Sequence, residues 1–204
     1  MRRRAAALAG FAAVAFACGT PILGAAVRPG YSHATQFISE LGERGSANGG
    51  WISAAGFAPT GLCLLVFLAL AAPLLPSSRR KTAGVLCFGA AGVAYVVTAV
   101  ARCDAGCPST GSLSQSVHNL FGVLEYVGAF SGLLLLGSAF AHSDRWRSLA
   151  WLCVLCAVLV GLGFAAVGVP SLAPVRGVSQ RIAETGVFLW VGSVSSALLR
   201  NSAA

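Results

Sequence analysis

The chain has 204 residues, of which 56% are hydrophobic and 10% charged, with a formal net charge of +8. So little polar surface could not cover a soluble globule, which excludes that class and places the chain in lipid. The positive charge is no nucleic-acid signal, because no basic stripe interleaved with aromatic side chains exists; it fits attraction to the anionic lipid of an inner leaflet.

Six apolar stretches are long enough, at about 1.5 Å per residue, to cross a hydrocarbon layer of roughly 30 Å. They run over 5–27, 51–75, 82–101, 117–141, 149–169 and 182–199. Each is expected as a helix, because a helix pairs its own backbone polar groups whereas an open strand in lipid leaves them unpaired. The expected fold is therefore all-α, a six-transmembrane-helix bundle in one integral membrane domain over 1–204.

The first stretch follows Arg2–Arg4 and contains Ala15-Phe16-Ala17-Cys18, so a cleaved signal is an alternative reading. Its apolar run continues past Cys18 to Val27, too long for a signal core and right for a span. Between the first and second stretches, Tyr31, Ser32, His33, Gln36, Ser39 and Glu40 gather at the interface. An interfacial helix is expected over 32–41, with Ser32 as N-cap and Gly42 as stop, followed by a Gly-rich linker over 42–50.

Arginine placement sets the orientation. Arg2, Arg3, Arg4, Arg79, Arg80, Lys81, Arg145, Arg147 and Arg200 fall on one side, against Arg28, Arg44, Arg102, Arg176 and Arg181 on the other. The first side is read as cytoplasmic, which puts both termini inside and makes the chain a multi-pass protein of the inner (plasma) membrane. Glu40, Glu43, Asp104, Glu125 and Glu184 lie on or near the outer side. His142, beside Asp144 and Arg145, reads as part of a solvated inner loop.

The only three glutamines, Gln36, Gln115 and Gln180, sit in one recurring pattern. Thr35-Gln36-Phe37-Ile38-Ser39-Glu40, Ser114-Gln115-Ser116-Val117-His118-Asn119 and Ser179-Gln180-Arg181-Ile182-Ala183-Glu184 share hydroxyl, Gln, any, Ile/Val, any, Glu/Asn. Proline precedes each copy, at Pro29, Pro108 and Pro174. After the second and third copies, Gly122–Gly128 matches Gly186–Gly192 with one inserted residue. Ordinary polar caps at helix starts would explain single residues; the matched offsets point instead to three pseudo-repeated helical hairpins.

Seven cysteines divide by compartment. Cys18, Cys63, Cys87, Cys153 and Cys156 lie in apolar stretches and read as small core residues. Cys103 and Cys107 flank Asp104 in an outer loop, where a disulfide can persist; free thiols or metal ligation are the alternatives.

Candidate chemistry gathers on the outer side. His118, Gly122, Glu125, Ala129 and Gly132 follow helical spacing and share one face. Packing alone would explain the small residues, but an acid such as Glu125 inside a span is costly and turns toward the bundle or a watery cavity. His118 and Glu125 are the proton-transfer candidates. Arg181 suits a phosphate or carboxylate, or an ion pair with Glu184. Gln36, Glu40, Gln115, Asn119, Gln180, Arg181, Glu184, Tyr31, His33 and Asp104 make up the candidate binding set. No HExxH, GxSxG or paired CxxC signature accompanies them, so no metal is assigned and no cofactor is required.

Arg28-Pro29-Gly30-Tyr31-Ser32-His33, running into Ile38-Ser39-Glu40-Leu41-Gly42, resembles the opening signature of a bacterial membrane family known as domain of unknown function 998. Cys103-Asp104, His118 and Gly177-x-x-Gln180-Arg181-Ile182 are similar to its remaining landmarks. The resemblance spans nearly the whole chain. It implies six membrane helices with polar residues on the outer face, and brings no established activity. The expected function is a polar extracytoplasmic pocket that binds or processes a lipid or envelope-precursor head group. A small-molecule carrier and a structural or partner-stabilising membrane protein are the alternatives.

Overall fold

The computed structural model describes residues 1–200. Six helices are long and apolar enough to span a membrane: α1 (Arg2–Ala26), α2 (Gly49–Leu74), α3 (Arg79–Val100), α4 (Leu113–Ala141), α5 (Arg147–Val167) and α6 (Pro170–Arg200). No strand occurs among the described residues. Each helix packs on the next in sequence, and α6 returns to pack on α1, closing a ring. The chain is thus a multi-pass membrane protein whose consecutive helices alternate in direction. The α1–α2, α3–α4 and α5–α6 connections meet at one end of the ring, here called the loop end.

Glycine lets α3 and α4 approach closely. A Cβ on Gly132 would lie 2.7 Å from the Phe88 nitrogen, and one on Gly84 would lie 3.1 Å from the Gly132 carbonyl oxygen. Without a hydrophobic drive between helices in lipid, such close packing supplies the attraction. The ring interior is closed by Trp190 of α6, fully buried, against Phe88 at 4.6 Å and Phe67 at 6.1 Å between ring centroids.

Sequence explains the irregular stretches. Pro59 has no N–H to offer one turn back, and α2 answers with a π-helical turn over Ser53–Phe57. Thr60 Oγ1 donates to the Gly56 carbonyl at 2.8 Å there, an internal partner of the kind that lipid cannot provide. Two helix starts carry serine caps: Ser78 accepts from the Lys81 N–H at 3.1 Å and Ser112 from the Gln115 N–H at 3.2 Å.

Two expectations are corrected. The segment over 32–41 is not an interfacial helix; it is a series of turns ending in a single 3₁₀ turn, Ser39–Gly42. Side chains have taken the backbone groups a helix would use. Gln36 Oε1 accepts from the Ser32 N–H and Glu40 Oε1 from the Phe37 N–H, each at 2.9 Å. Ser32 still caps a turn, accepting from the Thr35 N–H at 3.3 Å. The second correction concerns helix starts: α4 begins at Leu113 rather than 117, and α6 at Pro170 rather than 182. The second and third glutamine motifs therefore lie inside helices, because polar caps and first turns extend the helix beyond its apolar run.

Candidate functional site

Docking of the first loop onto the start of α6 builds the outer part of the site. The N–H groups of Gly177 and Val178 both donate to the Ala34 carbonyl, at 3.0 and 3.2 Å. Gly177 is required there, since a Cβ would run into the carbonyl oxygens of Gln36, His33 and Ala34. One turn on, Arg181 closes the clasp. Its Nη1 donates to the carbonyls of His33 at 2.8 Å, Gln36 at 3.2 Å and Gly177 at 3.0 Å. Its Nη2 reaches the Tyr31 hydroxyl and His33 Nδ1, both at 2.8 Å. Burial pushes the Tyr31 phenol up from its ordinary range, and Arg181 opposes that shift.

The remaining charges of this layer are also paired. Arg176 Nη2 bonds Glu40 Oε1 at 2.8 Å, and its guanidinium lies 4.6 Å from the Phe37 ring centroid. Arg28 pairs with Glu43 at 2.6 Å and also donates to the Glu40 carbonyl. Gln180 Oε1 accepts from the Ile38 N–H at 2.6 Å.

The α3–α4 connection is tied by the second motif. Gln115, fully buried, accepts from the Asp104 N–H and donates to Asn119 Oδ1, both at 2.7 Å. Asp104 accepts from the Ser112 N–H and hydroxyl at 2.8 Å, and these bonds, ahead of Arg44, hold its carboxyl below the usual carboxylate range. Cys103 and Cys107 are joined by a disulfide.

Beneath these loops lies a polar chamber of about 60 Å³, lined among others by Tyr95, His118, Glu125, Tyr126, Gln180 and Glu184. Glu184 is fully engaged: Oε1 accepts from the Tyr126 hydroxyl and Oε2 from the Tyr95 hydroxyl, each at 2.8 Å. Glu125 is not. Its buried Oε1 receives no N–H or O–H hydrogen bond among the described residues; its carboxyl instead lies beside that of Glu184, close enough for the two to share a proton. A wider cleft of about 580 Å³ adjoins the chamber, sharing Ser39, His118, Gly122, Tyr126 and Gln180 with it. Val123, Phe164 and Val167 give the cleft an apolar wall, while Asn119 and Arg176 supply polar groups.

The model of a family described as a protein of unknown function, DUF998, matches residues 6–197. This chain belongs to the DUF998 family. The match takes in all six helices, both loop clasps and every residue of the chamber. No curated protein and no solved structure matches the DUF998 chain.

Of the residues singled out in this DUF998 member, His118, Glu125, Gln180 and Glu184 line the chamber, and Asn119 lines the cleft. Gln36, Glu40, Gln115, Arg181, Tyr31, His33 and Asp104 line neither; they hold the loops. The guanidinium of Arg181 is spent on carbonyls and Tyr31 rather than on Glu184. Sequence reasoning missed Tyr95, Tyr126 and Arg176. A signal for the first two existed: the chain has only three tyrosines, two of them inside apolar spans, where a buried hydroxyl needs a partner. Chemically, the chamber combines two carboxyl groups, two phenols and an imidazole with no Lys or Arg among its lining residues. It suits a ligand group that donates hydrogen bonds.

Proposed function

We propose that this DUF998 protein binds the polar head of a membrane lipid or lipid-linked envelope precursor. The head enters the cleft between α4, α5 and α6, its apolar part rests along Val123, Phe164 and Val167, and a donor group reaches Glu125 in the chamber. One observation carries this reading: Glu125, whose Oε1 receives no N–H or O–H donor and whose carboxyl lies against that of Glu184, lines a chamber that shares five residues with a cleft of apolar wall. Two buried carboxyl groups side by side, one of them reached by no N–H or O–H of the described residues, are well served by a donor from outside. Arg176 at the cleft serves an anionic part of the head while remaining paired to Glu40, and Gln180 orients it. His118 and Glu125 are the groups that would move a proton were the bound head processed. A carrier is disfavoured by the buried, mutually packed rings of Phe67, Phe88 and Trp190, which fill space between the helices.

The same reading places the loop end on the outer face of the inner (plasma) membrane, with both termini cytoplasmic. The surplus of Arg and Lys at the opposite end supports it. The three-hairpin duplication belongs to it as well, supported by the Gln36–Glu40 and Gln115–Asn119 side-chain bonds, at 2.9 and 2.7 Å, which join equivalent motif positions. Lipid retention by the wild-type protein and by a Glu125→Leu variant, read by native mass spectrometry, tests the binding reading.

A further inference from the structure

Cys103, Cys107 and His118 come from two elements, yet one ligand atom of each lies within 4.8 Å of the others. The imidazole is oriented by a backbone group. His118 Nδ1 lies 3.0 Å from the Ala101 carbonyl oxygen, which can only accept, so Nδ1 carries the proton and Nε2 keeps its lone pair. A backbone carbonyl on the other ring nitrogen is the usual support of a metal-bound histidine. The two sulfurs are spaced as C-x₃-C, within the range of zinc ligand pairs. Ser39 backs both: its hydroxyl lies 3.4 Å from Cys107 Sγ and its carbonyl oxygen 3.6 Å from Cys103 Sγ. Cys107 and His118 both line the cleft, so a fourth coordination position would face it.

We propose that the Cys103–Cys107 disulfide is the closed state of a redox-gated metal site. A dithiol reductant gives two electrons and two protons, cleaving the S–S bond to two thiols while becoming a disulfide itself. Zn²⁺ then displaces both thiol protons and is held by two thiolates and the neutral His118 imidazole. Two negative sulfurs balance the dication, so the site adds no net charge near the membrane. The site shares His118 and the cleft with the proposed head-group site, but its test reads the metal alone, so failure of one reading is distinguishable from failure of the other.

The test uses Co²⁺ as a spectroscopic substitute on the full-length protein in detergent, before and after reduction by a phosphine, which does not chelate the metal as a dithiol would. Reduced protein is expected to bind one Co²⁺ per chain with thiolate-to-cobalt charge-transfer absorption, to lose it to Zn²⁺, and to show none of this when oxidised. His118→Ala is expected to weaken binding roughly tenfold or more, while His142→Ala leaves it unchanged. If His118→Ala does not fold, His118→Cys is expected to restore the site with stronger sulfur absorption. Zn²⁺ should also protect the peptide carrying Cys103 and Cys107 from alkylation in reduced wild type. Equal Co²⁺ binding by oxidised and reduced protein, no binding after reduction, or full binding by a folded His118→Ala variant would each overturn the proposal.

Discussion

The side chain of Gln180 on α6 accepts a hydrogen bond from the backbone N–H of Ile38 at 2.6 Å, across 142 residues of sequence. Ile38 is buried at the chamber wall, so removing that glutamine leaves its N–H without its protein partner. Gln180→Leu is therefore expected to cost about 1–3 kcal/mol of stability, the usual penalty for stranding a buried donor. Gln180→Glu keeps an acceptor and should cost less. Thermal unfolding in detergent separates the two variants.

Gly177 makes the stronger demand on the same clasp. A methyl group there collides with three backbone carbonyls that cannot move aside singly. Gly177→Ala should release the first loop from α6, read as faster proteolysis within residues 30–46. Gly19→Ala meets open space and should leave the digestion pattern unchanged.

Two loop groups give the protein opposite pH responses. Asp104 is held below its ordinary range by Ser112, so its contribution is present above the unfolded carboxylate pKa of about 3.9 and fades as pH falls through the lowered folded value. Tyr31 is held above its ordinary range by burial, so its contribution is present below about 10 and fades as pH rises through the raised folded value. Ser112→Ala should reduce the acid sensitivity of hydrogen exchange in 103–112. Tyr31→Phe should reduce alkaline loosening of 31–41.

Topology was legible because its signals are local. Each apolar run is long enough to span on its own, and the polar residues of the loop end are adjacent in sequence. The loop segment over 32–41 misled because its hydroxyl, Gln and Glu residues are those of a capped helix start, while here they bond their own backbone and close turns. The chamber was half legible. Glu125 stands out as an acid in an apolar run, but the pairing of Glu184 with Tyr95 and Tyr126 depends on which helices the ring brings together, information that no local pattern carries. Arg181 shows the same limit: a planar cation at the outer face suits an anion equally well whether that partner is a ligand or, as here, a set of carbonyls from a distant loop.

Head-group binding through Glu125 is tested most directly by comparing lipid retention with stability in Glu125→Leu. Glu125 Oε1 meets no N–H or O–H donor and its carboxyl faces a second buried carboxyl, Glu184, so an apolar replacement should change the melting temperature little or raise it. The groove between α1 and α2, about 670 Å³ and lined by no ionisable side chain, supplies an internal control for non-specific lipid. Native mass spectrometry of wild type is expected to show one retained lipid species per chain that falls at least roughly tenfold in Glu125→Leu, equivalent to about 1.4 kcal/mol of binding, while non-specific lipid persists. A wild-type protein carrying only non-specific lipid, or a folded Glu125→Leu variant retaining the same species at the same level, would contradict the account.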